Sequence, residues 1–253
     1  MASKSRRPSC FCSLERAIAK GWIAVAAVEA IGRFHAKFTE TSARPNGFRG
    51  APTFAERVER VAVSVRNGWD LLLEAYGPQL PPRLRAAGES LAEWLARLST
   101  QGMGGAATLI HGDYKVENLL FSEAGLRPAV AVLDWQASGV GYGVEDVARF
   151  VSVSLPVERQ REWEPGLLRR YAAAYNHVGP DVYSADLLWN DYRIALLVEF
   201  ARSLDGLRRT QAGAFSTTVG QGPLRQQAIN DWVNIAMTRR IAAISQTGAI
   251  ELL

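Results

Sequence analysis

Apolar residues recur at helical spacing along most of this 253-residue chain. Ile23, Ala27, Ala30, Ile31, Phe34 and Phe38 fall along one side of a predicted helix over 23–38. Thr53-Phe-Ala-Glu56 has the spacing of a capping box, in which a hydroxyl and a carboxylate three apart satisfy amides left free at a helix start. The helix it opens runs through Val58, Val61, Val65 and Leu71 towards Tyr76, and Gly77-Pro-Gln-Leu-Pro-Pro82 ends it. A third helix is expected over about 83–98, carrying Leu84, Leu91, Trp94 and Leu95.

The pattern then changes. Gly102-Met-Gly-Gly105 reads as a flexible connection, followed by a short apolar run over 106–110, a polar loop over 111–117 and a second run over 119–121. Residues 122–127 read as a turn, and Ala129-Val-Ala-Val-Leu133 as a buried strand ending at Asp134. Helical spacing resumes after Gly143, at roughly 145–155, 158–177, 184–205 and 223–245. The expected fold class is α+β, mostly α, with a small β insert at its middle.

Composition, 48% apolar and 21% charged, suits a chain with a substantial core and excludes fibrous and low-complexity classes. No apolar run approaches the ~20 residues needed to span a bilayer, so no membrane partner is expected. Cys10 and Cys12 cannot staple a fold, and His35, His111 and His177 are scattered, so a reducing, cytoplasmic setting without a zinc cluster is expected. The net charge of +4 is uneven. Residues 1–20 hold five basic side chains against Glu15, and the remainder balances. The body therefore lacks a net positive field to recruit nucleic acid, and residues 1–20 read as a basic, disordered leader ahead of a body over 21–253.

The residues most suggestive of chemistry lie on the β insert, in Leu109-Ile-His-Gly-Asp113-Tyr-Lys115-Val-Glu-Asn118-Leu-Leu-Phe121 and Leu133-Asp134-Trp135-Gln136. Phosphoryl transfer needs a carboxylate that orients the attacking hydroxyl and accepts its proton, and hard oxygen ligands that hold Mg²⁺ against the phosphates. Asp113 can supply the first, and Asn118, five residues on, with Asp134 the second. Taken singly, Asp113 could be a turn former, Asn118 a strand-end cap, Asp134 a loop carboxylate and Asp146 a helix N-cap. The joint order and spacing favour the functional reading.

His111-Gly-Asp-(four residues)-Asn118 followed by Leu133-Asp134-Trp135-Gln136 resembles the aminoglycoside phosphotransferase and choline-kinase-like superfamily, with the ecdysteroid-kinase-like branch as the nearer likeness. Gly141-Tyr-Gly-Val-Glu-Asp146-Val-Ala148 is similar to the family's turn into a helix, and the likeness extends over about 22–245. The resemblance implies a protein-kinase-like C-terminal lobe, with a catalytic loop over 109–121, a metal loop over 130–146 and a helical substrate subdomain over 145–245. It implies an ATP- and Mg²⁺-dependent phosphotransferase acting on a hydroxyl of a small molecule. Asp113 would be the catalytic base, Asn118 and Asp134 would ligate Mg²⁺ and bind nucleotide, Lys115 would face phosphate, Asp146 would brace the loop through backbone amides, and His111 would be structural. Trp163, Trp189, Tyr192, Asp186, Asp191 and Glu199 are available on the later helices, either to line a pocket for a cationic acceptor or as ordinary packing and surface residues.

Family kinases also carry a glycine-rich phosphate loop and a strand lysine in an N-terminal lobe. The residues before His111 read instead as three helices without G-x-G-x-x-G. The expectation is a C-terminal lobe with the N-terminal lobe absent, weak or inactive alone, with self-association possible through the face left bare. The alternative is a non-catalytic interaction or binding module built on the same lobe.

Overall fold

The computed structural model describes residues 21–39, 50–122, 129–178, 183–211 and 223–253. The basic leader with Cys10 and Cys12, and residues 123–127 of the expected turn, lie outside the described residues. Helix α1 (Trp22–Phe38) buries Ile23, Ala27, Val28 and Ile31 against Leu167, Leu168 and Tyr171 of α6 (Val157–Val178). Ala30, Phe34 and Phe38 are only half-buried, so the stripe turned inward is offset from the one expected and takes in His35.

Helix α2 (Phe54–Tyr76) opens on the capping box, in which the Glu56 amide donates to the Thr53 hydroxyl and the Thr53 amide to the Glu56 carboxylate at 2.7 Å. Its Val58, Val65 and Leu72 are fully buried, and the helix packs against α4 (Gly88–Gln101) and α7 (Ala185–Gln211). The third predicted helix is two: α3 (Pro82–Ala86) and α4 separate at Ala87. The indole of Trp69 lies so close to Gly88, the first residue of α4, that a Cβ there would meet its Nε1 at 2.9 Å, so glycine suits this position.

Four short strands follow: β1 (Ala107–Ile110), β2 (Leu119–Ser122), β3 (Ala129–Val132) and β4 (Gly139–Tyr142). They form two antiparallel pairs. β1 pairs with β4, Ala107 opposite Tyr142 and Ile110 opposite Gly139; β2 pairs with β3, Leu119 opposite Val132 and Ser122 opposite Ala129. The strand expected to be buried over 129–133 is not. Along β3 exposed residues alternate with half-buried ones and Leu133 is 45% exposed, because a two-stranded pair offers only one face to the helices beneath it.

Helix α5 (Val144–Ser154) is the spine, with every one of its residues buried. A helix enclosed on all sides is expected to be apolar all round, so its charged members, Glu145, Asp146 and Arg149, must find partners. α7 and α8 (Pro223–Gln246) pack along it and close the fold. Among the described residues no helix is long and apolar enough to cross a membrane.

Candidate active site

The polar loop between β1 and β2 is laid along α5 and pinned at both ends. At the start of the helix the Asp146 carboxylate accepts the amides of His111 and Gly112, at 2.7 and 2.8 Å. At its end the Ser154 hydroxyl accepts the amide of Val116 at 3.0 Å. Between them Tyr114 is fully buried, its hydroxyl donating to the Ala27 carbonyl on α1 at 2.8 Å. Gly112 sits at φ +78, and a Cβ there would meet the Ala137 carbonyl oxygen at 2.2 Å, so this turn admits only glycine.

Asp146 is itself held from α1. His35 Nε2 lies 3.1 Å from its Oδ2 and Nδ1 lies 3.1 Å from the Tyr171 hydroxyl, which fits Nε2–H donating to the carboxylate and Nδ1 accepting from the phenol. Gly143 makes room for this pair, since a Cβ there would fall 2.3 Å from the Tyr171 oxygen and 2.4 Å from His35 Nδ1. His111 is buried beside Trp135, their ring centroids 4.8 Å apart. Its Nε2 donates to the Leu133 carbonyl at 2.8 Å and its Nδ1 accepts the Asp113 amide at 3.2 Å.

The loop thus presents Asp113 at its crest. Arg149, from the middle of α5, donates through Nε to Asp113 Oδ1 at 2.9 Å, and the Lys115 ammonium lies 3.0 Å from Oδ2. Burial pushes the pKa of this carboxyl up, but the charges of Arg149 and Lys115 outweigh it and hold the group at about 2. The Asn118 amide nitrogen donates to the Asp113 carbonyl at 2.9 Å and to Oδ2 at 3.2 Å. That orientation leaves its Oδ1, the only atom of the carboxamide able to ligate a cation, outside these two bonds.

The Leu133 amide donates to the Asn118 carbonyl at 2.9 Å, so Asp134 follows directly on a residue tied to both His111 and Asn118. Asp134 is exposed, accepts from the Gln136 side chain at 3.3 Å, and is the only non-glycine residue with positive φ among those described, at 62°. Asp113, Lys115, Asn118, His111 and Asp146 are therefore gathered on one loop and its supports, with Asp134 at the end of the neighbouring hairpin.

Sequence reasoning missed Arg149, Arg202, Arg240 and His35. Glu199 on α7 accepts from Arg149 at 2.9 Å and from Arg202 at 3.2 Å, and lies 3.7 Å from Arg240 on α8. Arg202 also donates to the Gly112 carbonyl at 2.6 Å. The signal was a charge inside an apolar run: Arg149 in Val147-Ala-Arg-Phe-Val151, and Arg240 ahead of Ile241-Ala-Ala-Ile244.

Of the aromatic and acidic residues considered for a cationic acceptor, three are engaged in structural contacts. Tyr192 is buried and donates to Glu164 at 2.8 Å, Asp191 holds the Gly104 and Gly105 amides, and Glu199 belongs to the arginine cluster. Beside Asp113 opens instead a cavity of about 640 Å³ between the loop, α5, α7 and α8, with Lys115, Arg149, Arg202 and Arg240 among its walls.

Two known proteins share a short stretch with this chain. Acyl-CoA dehydrogenase family member 11 of Pongo abelii and that of Homo sapiens are each 36% identical over 62 residues, 24% of this chain and 8% of theirs. The chain therefore matches less than a tenth of the length of these relatives. A crystal structure assigned as an aminoglycoside phosphotransferase of Ralstonia eutropha aligns with 87% of this chain and 65% of its own, at 16% identity and a TM-score of 0.45. Residues 22–184, well over half of the sequence, match the profile of the phosphotransferase enzyme family, and the chain belongs to that family.

Proposed function

We propose that this chain transfers the terminal phosphate of ATP to a hydroxyl of a small molecule, with Asp113 orienting that hydroxyl and taking its proton as the new O–P bond forms and ADP leaves. The observation that carries this reading is a carboxylate held at the mouth of a cavity by a loop whose backbone is fixed at both ends. Transfer of this kind depends on positioning and electrostatics more than on covalent chemistry by the protein.

The residues fit a divalent cation. Asn118 and Asp134 offer an amide oxygen and a carboxylate, both hard donors, and Mg²⁺ is commonly held by one or two protein oxygens with phosphates and water completing its shell. When bound, the ion would offset negative charge on the phosphates. Asn118 would hold it while its nitrogen keeps Asp113 in register, and Asp134 would hold it from the hairpin. Lys115 would be released from Asp113 towards phosphate.

A second reading is favoured by the same electrostatics: a carboxylate held at about 2 is a poor proton acceptor, as suits a module that binds without turning over. Magnesium-dependent ATP turnover, assayed against a panel of small alcohols, separates the two. For an enzyme, Asp113→Asn lowers turnover by about 10²-fold or more, well beyond what the stability lost with its Arg149 and Lys115 pairs explains. Ligand binding with no Asp113-dependent turnover across the panel supports the module.

A further inference from the structure

The cavity beside Asp113 has an unbalanced lining. Lys115, Arg149, Arg202 and Arg240 face Asp113 and Glu199, four cations against two carboxylates. Arg209 at the rim is already paired with Asp205 at 2.8 Å. Glu199 is asked to serve three guanidiniums at once, and Arg240 has the poorest share of it. Its side chain is 4% exposed, its Nη2 stands 3.7 Å from the carboxylate, and its buried Nε has no hydrogen-bond partner. Burying a cation without full compensation is costly, and protein interiors ordinarily satisfy such donors. Burial and then repulsion from Arg149 pull Arg240 down to about 9, the direction expected of a cation short of an anion.

Apart from Ser203 and the Asp205–Arg209 pair, the rest of the lining is apolar. Ile229, Trp232, Val233, Ala236 and Met237 recur at helical spacing on one face of α8, and Arg240 ends the same stripe. From Ile229 to Arg240 the helix rises ~16 Å. Asn118 and Asp134, the residues assigned to the metal, do not line this cavity.

We propose that the cavity binds an acceptor with an anionic end and an apolar body, the anion (carboxylate, sulfate or phosphate) meeting Arg240 and Arg202 and the body lying along the α8 stripe. This deepens the phosphotransferase reading and rests on it for the word acceptor, since the hydroxyl to be phosphorylated would lie at Asp113. The anion supplies the charge the cluster lacks, and two guanidiniums can grip its oxygens in parallel.

The test is calorimetric titration of the full chain with octanoate, octyl sulfate and octylammonium, which share a body and differ in charge. Octanoate and octyl sulfate are expected to bind one per chain, with affinity falling as salt is added, and octylammonium about tenfold or more weaker. Arg240→Gln is expected to weaken octanoate by about tenfold or more. If that variant fails to melt cooperatively, Arg202→Gln, at the partly exposed edge of the cluster, is read in its place. Asp113→Asn is expected to keep or tighten octanoate binding, because it frees two cations, while removing phosphate transfer. Loss of the phosphotransferase reading would thus leave the anion site standing. Failure of octanoate to bind, octylammonium binding as tightly, indifference to both arginine substitutions, or competitive displacement of octanoate by Mg·ATP would each overturn the proposal, the last by showing that the site receives nucleotide phosphates.

Discussion

Asp134 adopts a left-handed backbone that aspartate tolerates better than most residues but that still carries strain of ~1–3 kcal/mol. Replacing it with glycine and with alanine separates backbone from side chain. Asp134→Gly is expected to be at least as stable as the parent in denaturant melts, Asp134→Ala to lose ~1 kcal/mol, and both to lose magnesium-dependent turnover. Glu164 offers a second residue-scale check. Burial pushes its carboxyl up to about 7, the Tyr192 hydroxyl opposing it only in part. A folded-state value above the ordinary 4.5 stabilises the protein below that pH, and the contribution is lost as pH rises through about 7. Melting temperature should therefore fall between pH 5 and pH 8 in a component that Glu164→Gln abolishes; an unchanged slope in the variant would reject the assignment. Asp113 acts in the opposite sense, its contribution present above about pH 4 and lost towards pH 2.

At the scale of elements, α5 organises the site: Asp146, Arg149 and Ser154 reach the loop from its first turn, its middle and its last residue. Gly143, just ahead of it, is the joint that lets His35 and Tyr171 approach Asp146. Gly143→Ala is expected to cost ~1–3 kcal/mol by overpacking and to lower turnover by more than its stability loss explains, because it displaces the carboxylate that aims the loop. Denaturant melts beside turnover at saturating ATP would check both. The helices and the capping box were legible in the sequence because their causes are local, a spacing of three or four residues and a hydroxyl near a carboxylate. The order of Asp113, Asn118 and Asp134 was legible for a similar reason. The need for glycine at 88 was not, because Trp69, which crowds that position, lies on another helix. Nor were Arg149 and Arg240, whose partner Glu199 lies 50 residues beyond the first of them and on a different helix from either. Periodicity marked the helices, with the inward stripe of α1 offset and the 129–133 strand wrongly expected to be buried, and assigned no meaning to the charges among them.

For the molecule as a whole, the balanced charge of residues 21–253 is locally broken at the cluster around Glu199, and that is where an anionic ligand would be drawn. A different asymmetry follows from the two strand pairs. β1 and β4 are largely buried, with Val140 further tied to the Pro52 carbonyl at 3.0 Å, whereas β2 and β3 keep one face in solvent and leave Leu120 57% exposed. Structures open locally where burial is thin, so amide hydrogens of the β2–β3 pair are expected to exchange with deuterium well before those of β1 and β4, and equal protection would contradict this. The loop that carries Asp113 is then moored to an anchored strand at one end and a yielding one at the other. Asp113 stays fixed while Asp134 can breathe, and anything that seats on the hairpin would slow its exchange from a distance.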